Sequence, residues 1–222
     1  MKQIFCIFLF MIPLMSCNQL PVERLSTDSN PTSLWQERQE NIGRVANWSL
    51  SGRFIITIGS KSDNASFFWN GSLVTKELKL FGPFGSSRLR LYEDSKGAVL
   101  QRSSGERLVG ISGEALLYDL SGWLIPFNQM NYWVRGLPAP GKHGGVAIDV
   151  VGRALSFVQD GWEIQYNEYI SIDGIDLPKS LSISLFPDQV STPTINLSQD
   201  EPVDDIKLKL TIESWNLYDE PS

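Results

Sequence analysis

The residues able to do chemistry are few: two cysteines and one histidine in 222 residues. His143 sits in Gly141-Lys-His-Gly-Gly145, a loop with no nucleophile pattern beside it. The G-x-S-x-G signature is absent, so nothing local points to a serine nucleophile with a histidine base. A single histidine leaves a zinc donor set unfilled. Acidic neighbours such as Asp204-Asp205 fall in a polar stretch and read as solvated charge. The chain is therefore read as a non-enzyme without cofactor or metal. Two features remain that water alone does not explain: the thiol of Cys17, and an aromatic ring, Phe84, displayed at a turn.

Cys6 lies inside an apolar run, Ile4 to Leu14, that Lys2 precedes, and Cys17 follows it. The run is too short for a good membrane span and has the layout of a signal peptide. It closes on Leu14-Met15-Ser16-Cys17, which resembles the lipobox of bacterial lipoproteins, with Met15 a less usual occupant. That resemblance implies cleavage after residue 16 and diacylglycerol on the Cys17 sulfur. Cleavage leaves one cysteine, so no disulfide forms within the mature chain, and thioether formation removes a thiol that an oxidising envelope would attack. In Gram-negative lipoproteins Asp after the lipidated cysteine favours inner-membrane retention. Asn18 stands there instead, which implies a lipid-anchored protein of the outer membrane, facing the periplasm. Several acyl chains on one residue hold firmly where one would not.

Phe84 belongs to Leu80-Phe-Gly-Pro-Phe-Gly-Ser-Ser87. Upstream, Leu78 and Leu80 alternate with Glu77 and Lys79; downstream, Leu89 and Leu91 alternate with Arg88, Arg90 and Tyr92. Two period-two runs around a Gly/Pro cluster predict two strands joined by a tight loop. Pro83 presets φ for the first central turn position, and Gly85 tolerates the geometry after it. Phe84 is then left at the tip, where a large ring either meets lipid or a partner, or folds onto a neighbouring loop.

The elements that must carry these residues follow from the same periodicities. Asn18 to Thr32 is rich in Ser, Thr, Asn and Pro and reads as a tether. Ser33 with Gln36 has the form of a capping box opening a helix with Trp35, Ile42 and Val45 on its dry side. Trp48, Leu50, Phe54, Ile56 and Ile58 predict a strand; Gly59 to Asn64 a turn; Ala65, Phe67 and Trp69 a second strand; Asn70-Gly71 a hairpin turn. Glu114 to Leu120 predicts a helix broken by Gly122 and Pro126. Asn128 is expected to cap another, which Gly136 and Pro138 end. Strands resume at Arg153–Val158, Trp162–Tyr169, Ser180–Leu185 and Ile206–Glu213, with Phe186 to Asp205 an exposed insertion. About ten strands and three helices give an α+β fold built on an antiparallel sheet, its helices grouped mid-chain.

Composition narrows the partners. Nineteen basic residues face 25 acidic ones, net −6. No run of basic residues appears, so nucleic-acid binding has no electrostatic footprint. Beyond residue 16 no apolar stretch is long enough to span a bilayer, and the length suits one domain with a substantial core.

Several stretches together look like the LolB family: Trp48-Ser-Leu-Ser-Gly-Arg-Phe54, Ala65-Ser-Phe-Phe-Trp69, Leu78-Lys-Leu-Phe-Gly-Pro-Phe-Gly-Ser-Ser87, Trp133-Val-Arg-Gly-Leu-Pro138, Gly161-Trp-Glu-Ile-Gln-Tyr166 and Ile206-Lys-Leu-Lys-Leu210. The resemblance spans about Leu34 to Leu217. It implies an incomplete, unclosed antiparallel β-barrel covered by α-helices, the LolA/LolB-like architecture, with an apolar cavity for acyl chains. On this reading residues 1–16 are signal, 17–33 a lipidated tether and 34–218 the half-barrel domain. The implied function is a monomeric outer-membrane receptor that accepts lipoproteins from the periplasmic carrier LolA and inserts them into the outer-membrane lipid. Phe84, with Gly82, Pro83 and Gly85, matches the family's apolar membrane-insertion loop, where Leu is commoner. The 186–205 stretch is longer than the family's usual connection.

The chemistry suits such cargo. At about 0.8 kcal/mol per methylene, a tail of around fifteen is worth roughly 12 kcal/mol on leaving water, so handover must run from one apolar site to another. Phe54, Ile56, Phe67 and Trp69 on the sheet, and Leu116, Leu120, Met130 and Trp133 on the helices, are the candidate lining. The alternative is a structural or assembly lipoprotein with an ordinary core and no acyl-chain transfer.

Overall fold

The computed structural model describes residues 30–72, 74–82, 88–185 and 205–218. Cys17, Pro83, Phe84 and Gly85, and nearly all of the 186–205 insertion, lie outside the described residues.

Alternation at period two organises the chain. In β1 (Asn47–Ile58), Trp48, Leu50, Phe54 and Ile56 are buried while Arg53 and Ile55 face outward. β2 (Lys61–Gly71), β3 (Lys76–Phe81), β4 (Arg88–Asp94), β5 (Gly97–Arg102) and β6 (Arg107–Gly110) meander away from one side of β1. On its other side lies β11 (Ile206–Tyr218), followed outward by β10 (Ile175–Leu185), β9 (Trp162–Ile172), β8 (Ala154–Gln159) and the two-residue β7 (Ala147–Ile148). All neighbours are antiparallel, and β6 and β7 do not pair, so the sheet stays an unclosed half-pipe. The helices α2 (Gly113–Ser121) and α3 (Phe127–Trp133) fall in sequence between the two edge strands and cover the concave face. A third helix, α1 (Pro31–Arg44), packs where β9 turns into β10.

Four local expectations are corrected. The first helix starts at Pro31, with Asn30 as its cap: Asn30 Oδ1 accepts from Thr32 N at 3.0 Å, and proline suits the first position because its missing N–H has no partner there. Asn70-Gly71 is no turn but the end of β2; the chain reverses over Ser72–Thr75, where Ser72 N–H donates to Thr75 O at 2.9 Å. Glycine at 71 answers a packing need instead, since a Cβ there would lie 2.2 Å from the Trp48 ring. Asn128 sits inside the first turn of α3 rather than at its cap, which is Pro126. The predicted turn at Gly59 to Asn64 is also shorter in fact, because β2 already starts at Lys61.

A bulge between β1 and β11 sets the deep end of the core. Glu213 is the extra residue between the pairs Ser51–Ser214 and Gly52–Ile212. The slip lets Trp215 point inward beyond Ile212, and its indole N–H donates to Pro178 O at 2.9 Å. Trp48 lies between Trp69 and Trp215, with ring centroids 5.6 and 5.7 Å away. At the far end, Tyr169 is held between the guanidinium groups of Arg38 and Arg153, 5.2 and 5.1 Å from its centroid, and Arg38 also donates to Asp176 O.

Candidate functional site

Between the sheet and its roof of α2 and α3 lies a small apolar hollow. The sheet supplies Phe54, Phe67, Trp69, Leu78, Leu80, Leu208 and Leu210; the roof supplies Leu117, Ile125, Phe127 and Met130. Trp69 stacks on Phe127 with centroids 5.0 Å apart and planes 14° from parallel. The remaining space is about 30 Å³, of the order of one water molecule's share of the liquid. Pockets that take up a mid-sized ligand run to several hundred Å³. The side chains that line this hollow therefore fill nearly all of it. One polar side-chain atom stands among them, Trp69 Nε1, which is buried and has no hydrogen-bond acceptor.

The roof is pinned at both ends by polar bonds. At the near end Ser112 caps α2 by accepting from Ala115 N at 3.2 Å. Gly113 N–H donates to Glu93 Oε2 at 2.6 Å, and Lys76 Nζ donates to Glu93 Oε1 at 2.7 Å and also to Asn128 Oδ1. Asn128 N–H in turn donates to Glu114 Oε1 at 3.0 Å, which ties α3 to α2. Burial pushes the Glu114 carboxyl above its ordinary value, partly opposed by that bond. At the far end Trp133 Nε1 donates to Gln159 Oε1 at 2.9 Å, and Tyr166 OH donates to Trp133 O at 2.8 Å. Gln159 also bonds both the N–H and the C=O of Ala139 at 2.9 Å. Complete burial raises the Tyr166 hydroxyl well above its usual range, so it stays a neutral donor.

The middle of the roof is fastened differently. α2 stops at Gly122, whose φ of +71° lies in the left-handed region that glycine adopts without strain. From there to Pro126 the backbone bonds are local: Gly122 N to Tyr118 O at 2.7 Å, and Ile125 N to Trp123 O at 3.1 Å. This segment rests on the sheet through rings, Trp123 against Phe54.

Of the candidate lining residues, the hollow brings together Phe54, Phe67, Trp69 and Met130. Ile56 is buried further along β1, outside it. Leu116 packs over Gly110, where a Cβ would lie 2.9 Å from its side chain. Leu120 is half-buried, and Trp133 belongs to the Gln159 anchor. The residues missed as lining are Leu78, Leu80, Leu117, Ile125, Phe127, Leu208 and Leu210. All but Ile125 carried the right signal, alternation or helical spacing, without being tied to the hollow. Gly82 directly follows β3, at the base of the loop holding Phe84. His143 is exposed, its Nδ1 2.7 Å from Gly144 O.

Residues 46–215 match the family model described as "Outer membrane lipoprotein LolB". The outer-membrane lipoprotein LolB of Pseudomonas syringae pv. syringae is 31% identical over 149 residues, 67% of this chain and 73% of that protein. The outer-membrane lipoprotein LolB of Nitrosococcus oceani is 28% identical over 212 residues, 95% of this chain and 96% of that one. A solved LolA superfamily protein from Nitrosomonas europaea aligns over 86% of this chain and 95% of its own, at 10% identity and a TM-score of 0.47. The family match runs from the start of β1 almost to the end of β11 and so takes in the sheet, the roof and the hollow between them: the chain belongs to the LolB family of outer-membrane lipoproteins.

Proposed function

We propose that the chain is anchored in the outer membrane through lipid on Cys17, faces the periplasm, accepts lipoproteins from the carrier LolA and inserts their acyl chains into the bilayer. No catalytic group takes part. Transfer exchanges one apolar surface for another, so a tail never meets bulk water. The supporting observation is a hollow lined by aliphatic and aromatic side chains beneath a roof that is hydrogen-bonded to the sheet at its ends and rests on rings in its middle.

That arrangement answers the shortage of space. Lifting residues 118–125 parts apolar surfaces but breaks no hydrogen bond to the sheet. The tail itself then covers the surfaces that have parted, at about 0.8 kcal/mol per methylene buried. Once loaded, the chain presents Phe84 on the hairpin beyond Gly82 to the bilayer, and lipid offers the tail a larger apolar phase.

The test is a transfer assay. The chain from residue 17 onward carrying Cys17→Ala, which keeps every described residue, is offered an acylated lipoprotein bound to its carrier. Cargo should move to it. The small hollow specifically favours a second reading, a structural lipoprotein whose core is simply full. Cargo that stays on the carrier supports that reading and removes the first.

A further inference from the structure

The outer face of the half-pipe carries a feature that no linear stretch announces. Lys79 lies opposite Arg90 on β3 and β4, and Phe81 lies opposite Arg88. One strand further in, Ser66 separates Phe81 from Arg53, and Ile55 beside Arg53 lies opposite Lys209 on β11. Phe81 therefore stands between two clefts. Arg53 and Lys209 line one of about 580 Å³; Lys79, Arg88 and Arg90 line the other, of about 280 Å³.

The local charge opposes that of the whole chain, which is net −6. Glu77 is shared between Arg90 and Lys79, the latter at 3.4 Å, and Glu213 pairs with Arg53 at 2.8 Å. Among the described residues Arg88 and Lys209 have no carboxylate within 4.0 Å. With Arg102, which also lines the smaller cleft and pairs with Glu106 at 2.8 Å, six cations meet three carboxylates around one half-buried ring. Basic groups flanking an aromatic residue fit the boundary of a bilayer, where phosphates lie level with the cations and the ring reaches the first methylenes.

We propose that this face docks on anionic phospholipid, one headgroup phosphate to each cleft with Phe81 between them. The occupant follows from charge complementarity and from the family: an outer-membrane lipoprotein always has a bilayer within reach. The inference deepens the receptor reading and rests on it for direction, since the same hairpin continues into the loop holding Phe84. Docking through the clefts sets that loop against the membrane.

Vesicle binding tests it, using the Cys17→Ala chain on vesicles of phosphatidylcholine alone and of an equal mixture with phosphatidylglycerol. Binding should favour the mixture and weaken as salt rises. Arg88→Gln with Arg90→Gln should lower it about thirtyfold, at about 1 kcal/mol per cation near the surface. Arg53→Gln with Lys209→Gln, on other strands, should act in the same direction, so one pair that failed to fold would leave the other to decide. Unchanged melting temperatures establish that the variants are folded. Equal binding to both vesicle types, or folded variants that bind like the parent, would overturn the proposal and leave the basic face to an acidic protein. Transfer from the carrier, measured in the same preparations without vesicles, reads the receptor role separately: the variants should take up cargo normally. Loss of uptake in the parent sinks that role whatever the vesicles show.

Discussion

Trp123 meets Phe54 edge-on, the ring centroids 5.6 Å apart and the planes at 87°. This is how the unpinned middle of the roof rests on the sheet. Aromatic pairs in this geometry contribute about 1 kcal/mol beyond the area they bury. Losing that contribution alone lowers the melting temperature by about 2–4 °C, and the apolar area that Trp123→Ala gives up adds to the drop. An acyl-chain fluorophore should enter the variant faster than the parent. Uptake at the parent's rate would place the opening elsewhere along the roof.

The Glu93 anchor should behave in the opposite way. Its side chain is 10% exposed and that of Lys76 20%, so the pair is largely buried. Glu93→Ala leaves Lys76 Nζ without its carboxylate and Gly113 N–H without its acceptor. Removing one partner of a buried pair costs about 3–5 kcal/mol. Urea unfolding should show a loss of that size; Glu93→Gln, which keeps an acceptor for Gly113, should lose less. A Glu93→Ala variant as stable as the parent would mean the roof is held by its apolar contacts alone.

Met130→Phe adds bulk to the roof where only about 30 Å³ stands empty. Extra bulk in a packed core costs about 1–3 kcal/mol, and the low end applies where free space takes part of it up. Stability should fall by about 1 kcal/mol while uptake of acylated cargo slows. Normal uptake would mean that the tail lodges elsewhere.

Glu114 sets a pH dependence. Burial raises its carboxyl above the ordinary carboxylate value, so the folded chain binds that proton more readily than the unfolded one. Its contribution to stability is whole below the unfolded value and is lost as pH rises through the raised one. Glu114→Gln keeps an acceptor for Asn128 N–H without the charge. The variant should melt higher than the parent at neutral pH, and the gap should narrow as pH falls through the carboxylate range. A gap that widened on acidification would have the wrong sign for a buried carboxylate.

Phe84→Glu separates receiving from delivering. The substitution leaves every residue that lines the hollow unchanged, so the variant should accept cargo from the carrier at the parent's rate. It should then fail to release that cargo into liposomes, because a carboxylate is costly to bring into an apolar phase. Normal delivery would take Phe84 out of the mechanism.

Much of the fold was legible because a half-buried strand leaves a period-two trace. Leu78, Leu80, Leu208 and Leu210 each show it, and each is inside. The failures have physical causes. Asn70-Gly71 has a hairpin's composition, but its glycine is required by the Trp48 ring across the strand pair. Trp215 breaks the alternation of β11 because a bulge shifts its phase, and a bulge is written in the pairing of two strands, not in either alone. The hollow was half legible: Phe54, Phe67, Trp69 and Met130 were identified, whereas Ile56, Leu116 and Trp133, equally apolar, pack away from it. Periodicity tells which face is dry and not how far along the element a residue sits. The basic outer face escaped for a related reason, since Arg53, Lys79, Arg88 and Lys209 come from four strands and form no run.

The seam between β6 and β7 has a mechanical consequence. A closed barrel has a girth dictated by its strand number and stagger. Here the margins are strands of four and two residues with nothing hydrogen-bonded across the gap. The trough can flare or narrow by small changes of twist between neighbours, and every rung of the ladder survives. Stubby margins of this kind also offer little for a foreign strand to add to, so the protein keeps a stretchable waist without inviting self-assembly. Strand count and stagger therefore leave its calibre free, where they would dictate that of a closed barrel.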